Sequence, residues 1–198
     1  LSNLDQYLFD QKMHSKAIDH LKTQIKKIKE TDIPLSMRYR VRCVDHYEEN
    51  KEFKNILKEL KVILKYCVSN LGVAHQATLT NSYKYCFYIF QLNQFNSCKN
   101  FSLRQYKVYN KHYINDELSL KGPLLQLLAK AYSELGLYEK ALMYFEECTK
   151  HEENCYQNTK NPDALISVYN DCIKYLKRDN LILINEIKNK LEIIKSSS

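Results

Sequence analysis

Tryptophan is absent from this chain, and glycine and proline each occur only three times in 198 residues. So few turn-forming residues leave little material for the tight connections of a β-sandwich or barrel, and helix is the reading that needs fewest of them. With Gly72, Gly122 and Gly136 as the only glycines, no glycine-rich loop can cradle a phosphate and no Gly-x-Ser-x-Gly elbow can present a nucleophile. The six histidines form no His-Glu-x-x-His pair. Long apolar runs are missing too: none approaches the roughly 20 residues that span a bilayer, and there is no basic, then apolar, then small-residue leader. Carboxylate pairs such as Glu48-Glu49 and Glu146-Glu147 sit in lysine-containing helical runs, where a solvated face explains them without chemistry. No catalytic residue, cofactor or membrane association is expected.

Cysteine is more plentiful, at seven, but the number is odd and no Cys-x-x-Cys occurs. A disulfide framework is therefore not indicated, and an intracellular, reducing, cytoplasmic setting is expected. Cys43, Cys86, Cys98, Cys148 and Cys172 fall at or beside small or apolar positions between helices, where a free thiol packs as a small hydrophobe. Cys148, His151 and Cys155 are spaced three and four apart and share a helix face. A closed zinc site needs a fourth ligand, and the neighbouring sequence offers none, so no metal is expected.

The most informative stretch is Leu125 to Asn154. Leu125, Leu128, Ala129 and Tyr132 recur at helical spacing, as do Tyr138, Ala141, Leu142, Phe145 and Cys148 after Leu135-Gly136-Leu137. Each set buries one helix face. Ala129 and Ala141 let the two backbones approach, Tyr132, Tyr138 and Phe145 fill the wedge, and Gly136 supplies the left-handed residue of a helix stop. This order of small, aromatic, glycine, aromatic, small and aromatic residues resembles a tetratricopeptide repeat (TPR).

Laid upstream, Tyr132/Tyr138/Ala141 corresponds to Ile89/Phe95/Cys98, then Tyr47/Phe53/Ile56, then Leu8/His14/Ala17; downstream it reaches Tyr175/Leu181/Ile184. Lys12, Lys51, Asn93 and Asp179 stand where the fourth copy has Gly136. The steps exceed the roughly 34 residues of the standard repeat and are similar to kinesin light chain repeats, whose Leu-Gly-x-x-His-Pro link resembles Leu71-Gly72-Val73-Ala74-His75-Gln76. The resemblance implies an all-α, right-handed superhelical solenoid of about five antiparallel hairpins. These are expected within one domain at about 1–31, 34–70, 75–112, 117–156 and 162–195. Breaks are read near Ile33-Pro34, Leu71-Gly72, Gly122-Pro123 and Asn161-Pro162.

The resemblance also implies a role as an interaction scaffold that holds a partner's peptide in the concave groove lined by the first helix of each hairpin. Transferred to this chain, the peptide-binding positions are Arg38 and Arg42 in the second hairpin, Tyr83, Lys84 and Phe87 in the third, Gln126 and Lys130 in the fourth, and Tyr169 and Asn170 in the fifth. Cations among aromatic and amide groups, in a chain of net charge +7, favour an acidic segment. A chaperone-tail clamp is not matched, since the preceding hairpin offers only Asn3 and Gln6. Two other readings stay open: an RNA-binding solenoid, from Met37-Arg38-Tyr39-Arg40-Val41-Arg42, and a helical accessory module of a larger enzyme. The start at Leu1 within an apparent helix suggests a fragment of a longer protein. The last helix, with Leu181, Ile182, Leu183, Ile184, Ile187, Leu191, Ile193 and Ile194, has more apolar residues than one buried stripe needs. A further repeat or self-association is expected there.

Overall fold

A helix stops cleanly where one residue turns left-handed, and this chain does so at the same place in successive repeats. In a computed structural model of the chain, which describes residues 3–113, 119–176 and 181–196, the left-handed residues include Lys12 (φ 55°), Lys51 (56°), Asn93 (58°) and Gly136 (73°). These are the positions the repeat alignment predicts; Asp179 lies outside the described residues. At Lys12, Lys51 and Gly136 the residue's own N–H donates three residues back, to the carbonyls of Phe9, Glu48 and Ser133 at 2.9, 3.0 and 2.9 Å. The next N–H donates five back, to Leu8, Tyr47 and Tyr132 at 2.8, 2.9 and 3.0 Å. This paired-bond stop satisfies carbonyls that the helix end would otherwise leave open.

The side chains obey the same register. Leu8, Tyr47, Ile89 and Tyr132 are buried just before the turn, and Ala17, Ile56, Cys98 and Ala141 are fully buried just after it. Among the described residues the chain forms ten helices and no strand. The fold is a TPR-like, all-α helical repeat.

The chain divides into two compact units, residues 1–92 and 93–198. Unit 1 holds α1 (Asn3–Asp10), α2 (His14–Ile28), α3 (Ile33–Glu49), α4 (Phe53–Leu71) and α5 (Gln76–Gln91), each packed on the next. Single stripes do the packing: Ala17, Ile18, Leu21 and Ile25 on α2, and Ile56, Leu57, Leu60, Ile63, Leu64 and Cys67 on α4. Asp32 starts α3 by accepting from the Leu35 N–H at 2.9 Å, with Pro34 in the first turn, where its missing N–H costs nothing. Thr78 Oγ1 donates to the Gly72 carbonyl at 2.7 Å and so fastens the start of α5 to the end of α4.

Unit 2 holds α6 (Phe95–His112), α7 (Lys121–Glu134), α8 (Tyr138–Thr159), α9 (Asp163–Tyr175) and α10 (Leu181–Ser196). Helix α7 packs on α6, α8 and α9, and it is buried nearly all round, from Leu124 and Leu125 to Leu127, Leu128, Ala129, Ala131 and Tyr132. Gly122 faces the Glu152 side chain of α8, and a Cβ there would lie 1.7 Å from Glu152 Oε1, so a larger residue would make that carboxylate move. Cys148 Sγ donates to the Gly122 carbonyl at 3.4 Å, whereas Cys155 Sγ lies 3.6 Å from His151 Nε2. Among the described residues no three potential ligands gather around a metal position.

The last helix is less exposed than its composition suggests. Ile184, Ile187, Leu191 and Ile194 form one buried stripe, while Leu183 is half-buried and Ile193 is 65% exposed. The side chains of Leu181 and Ile182 lie outside the described residues. No helix among the described residues is long and apolar enough to cross a membrane.

Candidate functional site

The residues expected to meet a ligand lie on α3, α5, α7 and α9, the first helices of their hairpins, but most of the cations are already engaged. Arg42 Nε donates to Asp5 Oδ2 of α1 at 2.8 Å, and Arg42 Nη1 to Asp45 Oδ2 at 3.0 Å. Lys84 on α5 reaches Glu48 Oε1 of α3 at 3.4 Å. Lys130 on α7 donates to Asp171 Oδ2 of α9 at 2.9 Å, and Gln126 Nε2 donates to the same oxygen at 2.7 Å and to Ser167 Oγ at 3.1 Å. Three neighbouring pairs of first helices (α1 with α3, α3 with α5, α7 with α9) thus share a charged clasp. Arg40 does not join them: it pairs with Glu59 of α4 at 2.5 Å, which takes the middle arginine out of the Arg38-Arg40-Arg42 series.

The clasps differ in depth. Lys84 and Glu48 retain 38% and 29% side-chain exposure, so solvent screening leaves their pair with under about 1 kcal/mol. Asp5 is 1% exposed and its partner His46 is fully buried, Nε2 standing 3.0 Å from Asp5 Oδ1. His46 Nδ1 faces His14 Nδ1 at 3.1 Å. Of the two facing Nδ1 atoms one donates and the other accepts, so a hydrogen bond joins the two rings. Phe9 covers the group, its ring 5.1 Å from that of His46 and 5.2 Å from the Arg42 guanidinium. Burial alone raises the Asp5 carboxyl, but bonds from Arg42 and His46 outweigh it and hold the pKa below the usual carboxylate value. Among the described residues the Asp5–His46 pair continues to a second imidazole, that of His14.

Arg38 is different. It is exposed, one turn before Arg42, and with Leu35, Val41 and Arg42 it lines a shallow depression of about 370 Å3. Among the described residues the buried Arg42 Nη2 finds no hydrogen-bond partner. On α5, Tyr83 and Phe87 are half-buried; Phe87 packs edge-on against Tyr88 at 5.1 Å, and burial raises the Tyr83 phenol. In unit 2 Asn170 is exposed. Tyr169 departs from expectation. It is 1% exposed and its hydroxyl donates to Glu153 at 2.6 Å. It belongs to the buried stripe Leu165, Val168, Tyr169 and Cys172 of α9, so its ring is core and does not offer a contact surface. The partners Asp5, Glu48 and Asp171 were missed because they lie 36 to 41 residues from the cations they bind.

No protein-family model matches the sequence, and no curated protein matches it. Solved structures nevertheless share its fold. BtubC (BKLC) from P. vanneervenii superposes with a TM-score of 0.81 at 12% identity, over 98% of this chain and 78% of that one. The nearly identical TPR-like repeats of a putative kinesin light chain from Podosopora anserina give 0.75 at 12% identity, over 98% and 92%. A Rap protein complexed with Competence and Sporulation Factor gives 0.64 at 14%, over 97% of this chain and 52% of that one. The likeness is one of fold, carried with little sequence identity.

Proposed function

We propose that this chain is a non-catalytic interaction scaffold that holds a peptide segment of a partner protein on the first-helix face of unit 1, with acidic residues of that segment on α3. The observation that carries this reading is the asymmetry between Arg38 and Arg42. Arg42 is spent on Asp5 and Asp45, whereas Arg38 is exposed beside Leu35 and Val41, which together suit a carboxylate next to an apolar side chain. Tyr83 and Phe87 on α5 add rings of the kind that anchor peptides, and Lys84 adds a cation that its weak clasp can release. In unit 2, Asn170 beside the Gln126–Lys130–Asp171 group forms a polar patch of its own. A TPR-like neighbour complexed with a named factor supports the general role, and seven free thiols suit a reducing, intracellular setting.

The test is selection of displayed random peptides on the intact chain, followed by titration of a selected peptide by fluorescence anisotropy. Acidic sequences with an apolar residue are expected, and Arg38→Glu should weaken them about tenfold through one reversed contact without changing helicity. Enrichment of basic sequences, no response to Arg38→Glu, or displacement of the peptide by an RNA oligonucleotide would each overturn the reading.

A further inference from the structure

Unit 2 solves one packing problem and leaves its repeat unsolved. Between the second helices α6 and α8 the space is filled by tyrosines: Tyr106 meets Tyr144 edge-on at 6.4 Å, Tyr144 stacks on Tyr132 at 5.3 Å, and the Tyr106 hydroxyl donates to Glu147. Between the next two second helices, α8 and α10, no tyrosine among the described residues lines the gap, and a cavity of about 280 Å3 remains. Its apolar lining includes Phe145, Cys172, Leu176 and Ile187, all buried in the unit's core, with Leu142 and Leu183 nearer the opening. An apolar cavity of about 150 Å3 is already enough to hold benzene, so this one has room for an aromatic or branched aliphatic side chain.

The charges around it are ordered. Glu146 on α8 and Glu186 on α10 come one turn before Lys150 and Lys190, and all four line the cavity. Lys190 is bound to Glu153 at 2.7 Å, and Glu153 also accepts from Tyr169 at 2.6 Å, which occupies that cation, while Lys150 is exposed at the same end. Glu146 and Glu186 are exposed and carry no ion pair among the described residues. A chain of net charge +7 therefore presents two uncommitted carboxylates beside an unfilled apolar space.

We propose that the cleft between α8 and α10 is a docking site for a partner peptide, taking one aromatic or branched aliphatic side chain into the cavity and an adjacent lysine or arginine onto Glu146 and Glu186. The chemistry is opposite in sign to that of the Arg38 face, so the two sites select different segments. The apolar side chain supplies the burial that Tyr106 and Tyr144 supply one junction earlier, and the carboxylates fix which residue lies beside it.

The experiment records methyl NMR spectra of the intact chain during titration with the tripeptide amide Lys-Phe-Lys, acetylated at its N-terminus, and with its counterpart Glu-Phe-Glu. Saturable shifts at Leu142, Leu183 and Ile187 are expected with Lys-Phe-Lys, at an affinity about tenfold above that of Glu-Phe-Glu. Glu146→Lys with Glu186→Lys should remove that preference, and both positions are exposed, so the fold is kept. As a second arm, Thr149→Phe should fill the cavity and abolish the shifts while leaving the melting temperature unchanged or higher. No shift with either peptide, equal response to both, or a preference that survives the double charge reversal would overturn the proposal. So would shifts that follow protein concentration alone, which would make a second copy the occupant. Binding of acidic peptides at Arg38 should be untouched by these variants, so failure here and failure there are distinguishable.

Discussion

Unit 1 joins α1 to α3 through buried ionisable groups, whereas unit 2 joins α6 to α8 through tyrosine rings. Both do the same mechanical work of holding like helices of successive hairpins together. The charged joint depends on every member being present in the right protonation state. The aromatic one depends mainly on buried area and tolerates the loss of a single polar atom. Asp5 touches both Arg42 and His46, while the Tyr106 hydroxyl touches Glu147, which stays solvated.

The contrast is broken most forcefully by Asp5→Ala. It strands a guanidinium and an imidazole, and it should cost about 3 kcal/mol in urea unfolding; Tyr106→Phe should cost about 1 kcal/mol or less. Equal losses would show that the joints do not differ in kind.

Acid should separate the two joints next. Asp5 titrates below its unfolded value of about 3.9, so its contribution is complete above that value and fades as pH falls through the lower folded one. Hydrogen-exchange protection of α1 and α3, corrected for intrinsic rates, should drop below about pH 4. The α6–α8 joint should lose less, since it rests mainly on ring packing, and the Tyr106 phenol, pushed further up by burial and its bond to Glu147, stays protonated. The α10 end should follow unit 1 in sign: burial raises Glu153, but bonds from Lys190 and Tyr169 lower it overall.

The turns offer a smaller comparison. Lys51 holds φ 56° and Gly136 φ 73°, so Gly136→Ala should cost about 1 kcal/mol and Lys51→Gly should gain a few tenths to about 1 kcal/mol, both read from urea midpoints. The smallest effect is on thiols. Burial pushes Cys43 and Cys172 up to about 12 and Cys98 up to about 11, while Cys155 is only half-buried. A disulfide reagent on the native chain should react first at Cys155, and at the buried thiols only after urea is added.

The repeat frame was legible because it is written in local chemistry. A left-handed stop at Lys12, Lys51, Asn93 and Gly136 and a small or apolar residue five further on follow from spacing alone. The proposed binding face was legible only in part. Placing Arg42, Lys84 and Lys130 on first helices was straightforward, but whether each is free depends on a carboxylate one hairpin away, and that distance depends on how the hairpins stack. Tyr169 could have been read better: Leu165, Val168 and Cys172 lie at helical steps around it and mark its face as core. The cavity between α8 and α10 had no local signal, because an unfilled space is a property of two helices together.

On the proposed function, two arginines one turn apart on α3 have separate duties, Arg42 holding α1 and Arg38 holding a ligand. Urea unfolding and anisotropy with a selected acidic peptide, run side by side on Arg38→Ala and Arg42→Ala, test it most directly. Arg38→Ala should lose the peptide while its stability stays within about 0.5 kcal/mol of the parent, and Arg42→Ala should lose about 3 kcal/mol. Two variants that behave alike, or an Arg38→Ala chain that unfolds early and still binds, would contradict it.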